Sequence, residues 1–216
     1  MTTRARRERE KEERRQSILQ AARKVFFQKG FHRATVDDVA ELAELSKGTV
    51  YLYFESKETL LAHLLLEGLD ELLEHLEEAY AETLSMRADE RLRKLGLAYL
   101  NFFTEQPDYF WLLMATDRGR FRETVTPEVY QQVLSASLEG LDLAARAIQQ
   151  GVDEGIFYCK NVRQAASIFW ATMNGVLELM AHPLRREMVG IERETLYREA
   201  LEACLRSLKV DAAGRR

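Results

Sequence analysis

Residues 30–61 read GFHRATVDDVAELAELSKGTVYLYFESKETLL. Val36, Val39, Ala40 and Ala43 recur at helical spacing and make one apolar stripe. Leu45 gives the following turn an apolar anchor, and Ser46 stands where an N-cap belongs. Val50 and Phe54 are four residues apart and fall on one face of a second short helix. The rest of that helix carries Lys47, Gly48, Thr49, Tyr51 and Tyr53, residues able to approach phosphate oxygens and base edges. Two short helices joined by a tight turn, the second apolar behind and hydrogen-bonding in front, are what insertion into a DNA major groove requires.

The longer run KVFFQKGFHRATVDDVAELAELSKGTVYLYFESKETLL (residues 24–61) closely resembles the N-terminal domain of TetR-family transcriptional regulators. The resemblance rests on several marks: the pair Gly30-Phe31 closing a first helix, Thr35 opening the second, the string Ser46-Lys47-Gly48-Thr49-Val50-Tyr51, then Tyr53-Phe54, and Ser56-Lys57-Glu58 opening a fourth helix. It covers residues 13 to about 64, under a third of the chain. One position departs from the pattern. The family usually carries a small residue, often glycine, before the apolar turn residue, and here Glu44 stands there. A left-handed conformation at Glu44 is expected to be strained.

Composition points the same way. Among 216 residues there are only 3 Pro and 11 Gly, and no run alternates apolar and polar residues with β-branched enrichment, so the expected fold class is all-α. No apolar run approaches the roughly 20 residues of a membrane helix, and the charged N-terminus lacks the apolar core of a secretory signal. Cys159 and Cys204 lie far apart in sequence without a CxxC partner, which suits free thiols in a cytoplasmic protein. The net charge of −4 is uneven: residues 1–60 hold 13 basic against 10 acidic side chains, the remainder 18 against 25. A mildly basic head on an acidic body is compatible with DNA binding, which needs only a local patch.

The expected organisation is a charged arm over residues 1–12, a three-helix DNA-binding domain over 13–55, a ligand-binding and dimerisation domain over 56–209, and a tail over 210–216. The arm (MTTRARREREKE) is either a disordered segment or an extension of the first helix, and its Arg4, Arg6, Arg7 and Arg9 are available to a DNA backbone or minor groove. The first helix runs from about Glu13 to Lys29, with Gly30 as its cap. A long, leucine-rich fourth helix runs from a Ser56 cap to about Leu84 and suits a rod between head and body. A fifth opens at Asp89 and breaks at Gln106-Pro107, a sixth is PDYFWLLMA, and TDRGRFRE reads as a loop. A seventh starts at Thr126-Pro127 and ends at Gly155. An eighth runs from an Asn161 cap to before Pro183, and a ninth from Ile191 to about Leu208.

The resemblance implies the residue roles. Lys47, Gly48, Thr49, Tyr51, Tyr53 and Lys57 are expected at the DNA, with Thr49 and Tyr51 as candidates for base contact and Thr35 placed to meet a phosphate. It also implies an effector pocket enclosed by the middle helices, and a homodimer through the eighth and ninth helices. Aromatic density between Tyr99 and Trp111, with a second group on the eighth helix, makes Tyr99, Phe103, Phe110, Trp111, Met114, Trp170, Met173 and Asn174 the expected lining. Such a lining suits an apolar or amphipathic small molecule; a filled aromatic core gives the same pattern. Small residues Ala165, Ala166, Ala171 and Gly175, with Val176 and Leu205, mark the expected subunit contact.

Catalysis finds no motif. His32, His63, His75 and His182 form no HExxH pair, and no nucleophile elbow, Walker loop or GxGxxG occurs, so no catalytic residue, metal or cofactor is expected. The expected function is a ligand-responsive regulator, most simply a repressor released from a palindromic operator on double-stranded DNA when the effector tilts the fourth helix. The alternative is a TetR-like nucleoid-associated protein that acts through a protein partner.

Overall fold

A computed structural model describes residues 3–81, 85–115 and 121–210. The elements are α1 (Thr3–Lys29), α2 (Val36–Leu42), α3 (Lys47–Tyr51), α4 (Lys57–Tyr80), α5 (Ala88–Glu105), α6 (Pro107–Ala115), α7 (Phe121–Thr124), α8 (Pro127–Asp153), α9 (Val162–Ala181), α10 (Pro183–Val189) and α11 (Arg193–Leu208). Among the described residues, extended pairing is limited to one antiparallel bridge, Phe157 with Lys209. The fold is all-α, as the composition predicts.

Two compact units share the chain, one of residues 1–68 and 108–134, the other of 69–107 and 135–216. The first holds α1–α3, the start of α4, α6, α7 and the start of α8. Its core is built from Ile18, Ala22, Val25 and Phe26 of α1, Val39 and Ala40 of α2, Val50 and Phe54, and Leu60, Leu61, Leu64 and Leu65 of α4, all buried. Tyr109 of α6 stacks edge-on against Phe27, ring centroids 5.5 Å apart. It lies so close to α4 that a Cβ at Gly68 would come within 2.6 Å of its ring. The second unit packs α5, α8, α9 and α11 around Leu92, Leu95, Phe102, Phe103, Ile148, Phe169, Met173, Leu177, Leu201 and Leu205. Its largest fully buried side chain, Tyr197, donates its hydroxyl to the Gly96 carbonyl at 2.7 Å.

Several boundaries differ from the sequence reading. α1 begins at Thr3, so the described part of the charged arm is helix, an exposed extension carrying Arg4–Glu8 and Arg6–Glu10 pairs at i,i+4 spacing. The last three residues of the expected loop TDRGRFRE belong to the single turn α7; residues 116–120 lie outside the described residues. Pro183 does not merely end α9: it opens α10, where its missing N–H costs nothing, and Gly190 at φ 66° closes that helix. The expected eighth and ninth helices are therefore α9 and α11. The last turn of α4 is held from outside by the buried Arg91, whose guanidinium bonds the carbonyls of Tyr80 and, at 3.1 Å, Ala81, and stacks over the Tyr80 ring.

Candidate nucleic-acid interface

The head is assembled from local signals. Thr35 opens α2 with a reciprocal capping box: its Oγ1 accepts from the Asp38 backbone N–H at 3.2 Å, and the Asp38 carboxylate accepts from the Thr35 N–H at 2.9 Å. Lys29 adds an ion pair to Asp38 at 2.7 Å. The Lys29 ammonium and the Thr35 hydroxyl and amide hold the Asp38 carboxyl down to a pKa of about 2. At the far end of α2 the Leu45 N–H bonds the Ala40 carbonyl at 2.9 Å and the Glu44 N–H bonds Glu41 at 3.1 Å. These two bonds make a Schellman turn, which demands a left-handed residue at Glu44, and Glu44 has φ 55°. Ser46 then caps α3, its Oγ accepting from the Thr49 N–H at 3.1 Å.

α3 is only five residues long, yet its two sides are unlike. Val50 and the following Phe54 are buried, while Lys47, Gly48, Tyr51 and Leu52 form a contiguous exposed face at i, i+1, i+4 and i+5. Phe54 is clamped at the edge of the His63 ring, 5.4 Å between centroids, and the Arg15 guanidinium lies over its face. Burial, helped by Arg15, pushes the His63 imidazole below its usual pKa, so it is neutral at pH 7 and lies 3.2 Å from the Arg15 guanidinium.

The expected DNA-binding residues divide accordingly. Lys47, Gly48 and Tyr51 share the exposed face, with Lys47 ion-paired to Asp37 at 2.7 Å. Thr35 is exposed but its hydroxyl donates to Asp38 at 2.8 Å. Thr49 and Tyr53 are half-buried, and Thr49 bonds Ser46 at 2.8 Å. The Lys57 ammonium turns inward, donating to the carbonyls of Phe31 at 2.9 Å and Ala34 at 3.0 Å and sitting over the Phe31 ring. It braces the loop before α2. Leu52, 82 % exposed, is the member of the face that sequence reasoning missed. Its place two residues after the buried Val50 was a usable signal, since a short helix cannot bury both.

The expected ligand lining is less unified. Tyr99 and Asn174 do meet: the Tyr99 hydroxyl donates to Asn174 Oδ1 at 3.0 Å. Burial pushes the Tyr99 phenol well above its ordinary pKa, with a hydrogen bond to Trp170 opposing. Met173 is buried nearby in sequence, Phe103 is buried with the Arg193 guanidinium 5.2 Å above its ring, and Trp170 is half exposed. Phe110, buried, and Trp111, half exposed, belong to the first unit. The Met114 side chain lies outside the described residues. A cleft of about 580 Å³ in the second unit is lined instead by Leu73, Glu77, Glu139, Asp142, Leu143 and Arg146, among others, and by none of the expected residues.

The expected dimer residues also sort by exposure. Ala171 and Gly175 are exposed on α9, where Ile168, not among the expected residues, completes a stripe at i, i+3 and i+7; Ala165 and Val176 are half-buried, and Ala166 and Leu205 are buried within their own unit. Leu205 is therefore a core residue, because the face of α11 that carries it packs inward with Tyr197 and Leu201.

Comparison with known proteins bears on the whole chain. Residues 18–64 match the family described as bacterial regulatory proteins, tetR family. The chain is 30 % identical over 178 residues to the uncharacterized HTH-type transcriptional regulator YfiR of Bacillus subtilis, covering 78 % of this chain and 80 % of that one. It is 28 % identical over 160 residues to the fatty acid metabolism regulator protein of the same organism, covering 73 % and 78 %. The fold is similar to the crystal structure of the transcriptional regulator FadR from Bacillus subtilis in complex with stearoyl-CoA, with a TM-score of 0.66 at 21 % identity over 93 % of this chain and 99 % of that one. These relatives are regulators and not enzymes, and no described helix is long and apolar enough to cross a membrane. With a capped helix-turn-helix at its head and this similarity running through most of its length, the chain belongs to the TetR family of bacterial transcriptional regulators.

Proposed function

We propose that this regulator is a cytoplasmic, ligand-released repressor that binds a palindromic operator as a homodimer. The carrying observation is the exposed α3 face of Lys47, Gly48 and Tyr51 above buried Val50 and Phe54. Gly48 has only the Ser46 Oγ near its side-chain position, which leaves room for close backbone approach to DNA. Tyr51 offers a hydroxyl and an edge to bases. Lys47 exchanges Asp37 for a phosphate at the moment of binding, a trade between two exposed ion pairs that costs little. Thr35, Thr49, Tyr53 and Lys57 act chiefly by fixing the turn and the loop that present this face.

A dimer places two such faces roughly 34 Å apart, one turn of B-DNA. The exposed Ile168–Ala171–Gly175 stripe of α9 is the proposed subunit contact; space at the Gly175 side-chain position is open. The effector is proposed to be an amphipathic molecule with a long apolar part. The names of two relatives, one a fatty acid metabolism regulator and one solved with stearoyl-CoA, support that class, as does the part-buried Tyr99–Asn174 hydrogen bond beside the buried apolar side chains of the second unit. To act as an inducer it must prefer the form that does not bind DNA.

The test is the double variant Lys47→Ala, Tyr51→Ala on an operator recovered by selection from random duplexes. Loss of the footprint with unchanged helicity and sedimentation is the expected result. An unaltered footprint removes α3 as the reading element.

A further inference from the structure

The chain has two cysteines in 216 residues, 45 positions apart, and both line one cleft. That cleft, of about 240 Å³, is walled by Tyr158, Cys159 and Lys160 ahead of α9, by Phe169 and, at the edge of the proposed subunit contact, Ile168 on α9, and by Cys204 near the end of α11. Neither thiol is joined to the other, and each is half-buried: sheltered but within reach of solvent.

A backbone frame holds the two segments together. The Tyr158 N–H donates to the Leu208 carbonyl at 2.8 Å, and the Val210 N–H to the Ile156 carbonyl at 3.1 Å. Phe157, between those bonds, is buried, and its ring fills the space where a Cβ at Gly151 would stand. Cys159 is the residue after Tyr158, and Cys204 is one helical turn before Leu208. The frame thus carries both thiols to the same opening without depending on either.

We propose that Cys159 and Cys204 are a paired modification site, converted to an intramolecular disulfide by exchange with a low-molecular-weight disulfide such as oxidised glutathione. One cysteine thiolate attacks a sulfur of the small disulfide, forming a mixed disulfide and releasing one small thiol. The thiolate of the other cysteine then attacks the protein-bound sulfur, closing the Cys159–Cys204 bond and releasing the second small thiol. Two protein thiols and one disulfide become one protein disulfide and two small thiols, so no further oxidant is needed. The size of the cleft favours this over ligand storage: it falls below the roughly 300–1,000 Å³ of sites that enclose drug-sized molecules. Lys160 at the wall offers an ammonium to the carboxylates of glutathione. Burial pushes the Cys159 thiol up, although the Asn161 backbone N–H opposes it, so the reaction quickens as pH rises above neutrality.

This inference does not rest on the operator or the effector. The test is intact-mass analysis of the full-length native protein after incubation with oxidised glutathione and an acid quench. The expected product of the wild type is a monomer mass two hydrogens lighter with no glutathione retained, while Cys159→Ser and Cys204→Ser each retain one glutathione. The closure rate is expected to rise with pH. A wild-type protein that keeps glutathione on either cysteine, that cross-links between subunits, or that stays unmodified overturns the proposal.

Discussion

Glu44 occupies the one position of the α2–α3 turn that asks for a left-handed backbone, and its side chain is exposed. Such a conformation costs a non-glycine residue about 1 kcal/mol. Glu44→Gly is therefore expected to stabilise the protein by about 1 kcal/mol in chemical denaturation, and an unchanged midpoint would show that the turn carries no strain. Asp38 works in the opposite sense. Its folded pKa of about 2 lies below the unfolded value, so the capping box is fully present above pH ~4 and is lost as pH falls toward 2. An NMR titration should place the Asp38 carboxyl near 2; a midpoint near that of a free aspartate would mean the Lys29 and Thr35 bonds do not form in solution. Both features were partly legible beforehand. The departure at Glu44 and the N-cap at Thr35 follow from residue type and spacing, whereas the Lys29 and Lys57 partnerships depend on where loops return and carry no local sequence signature.

At the scale of elements, helix ends depend on partners distant in sequence. Arg91 of α5 satisfies carbonyls at the end of α4, and nothing in the pattern around either residue announces it. Arg91→Met keeps much of the apolar stem but strands those acceptors, and is expected to cost about 1.5–3 kcal/mol, read by denaturant midpoint. A loss below the error of that measurement would mean water replaces the guanidinium. α10 has no unambiguous signal for another reason: proline breaks a helix within its interior and starts one at its first turn, and at Pro183 the residue type alone does not separate the two. Periodicity marks which residues are apolar on α9 and α11 but not which side each helix turns to its own unit. Exposure separates Ile168 from Leu205. Ile168→Glu is expected to shift sedimentation from dimer toward monomer with helicity kept, while Leu205→Glu places a charge in the core and unfolds the chain. A folded Leu205→Glu protein, or an Ile168→Glu protein that remains as dimeric as wild type, counts against this face.

Across the whole molecule, the head was the most legible part because its function rests on a short contiguous string. Caps, turn and apolar pair all lie within residues 35–54, and local chemistry determines each of them. The effector site is the opposite case. Aromatic density marks apolar interior without distinguishing a lining from a filled core, and the eight expected residues divide between two units. We propose that this chain reads DNA through α3 as a dimer. The most direct test is the operator affinity of the purified wild-type protein as a function of salt, beside an unrelated duplex of equal length. A dimer reading DNA through α3 is expected to protect one palindrome with half-sites about one helical turn apart, to bind it at least about 1,000-fold tighter than the unrelated duplex, and to lose affinity steeply and linearly in log–log form as salt rises. Equal affinity for both duplexes at every salt concentration would contradict that proposal.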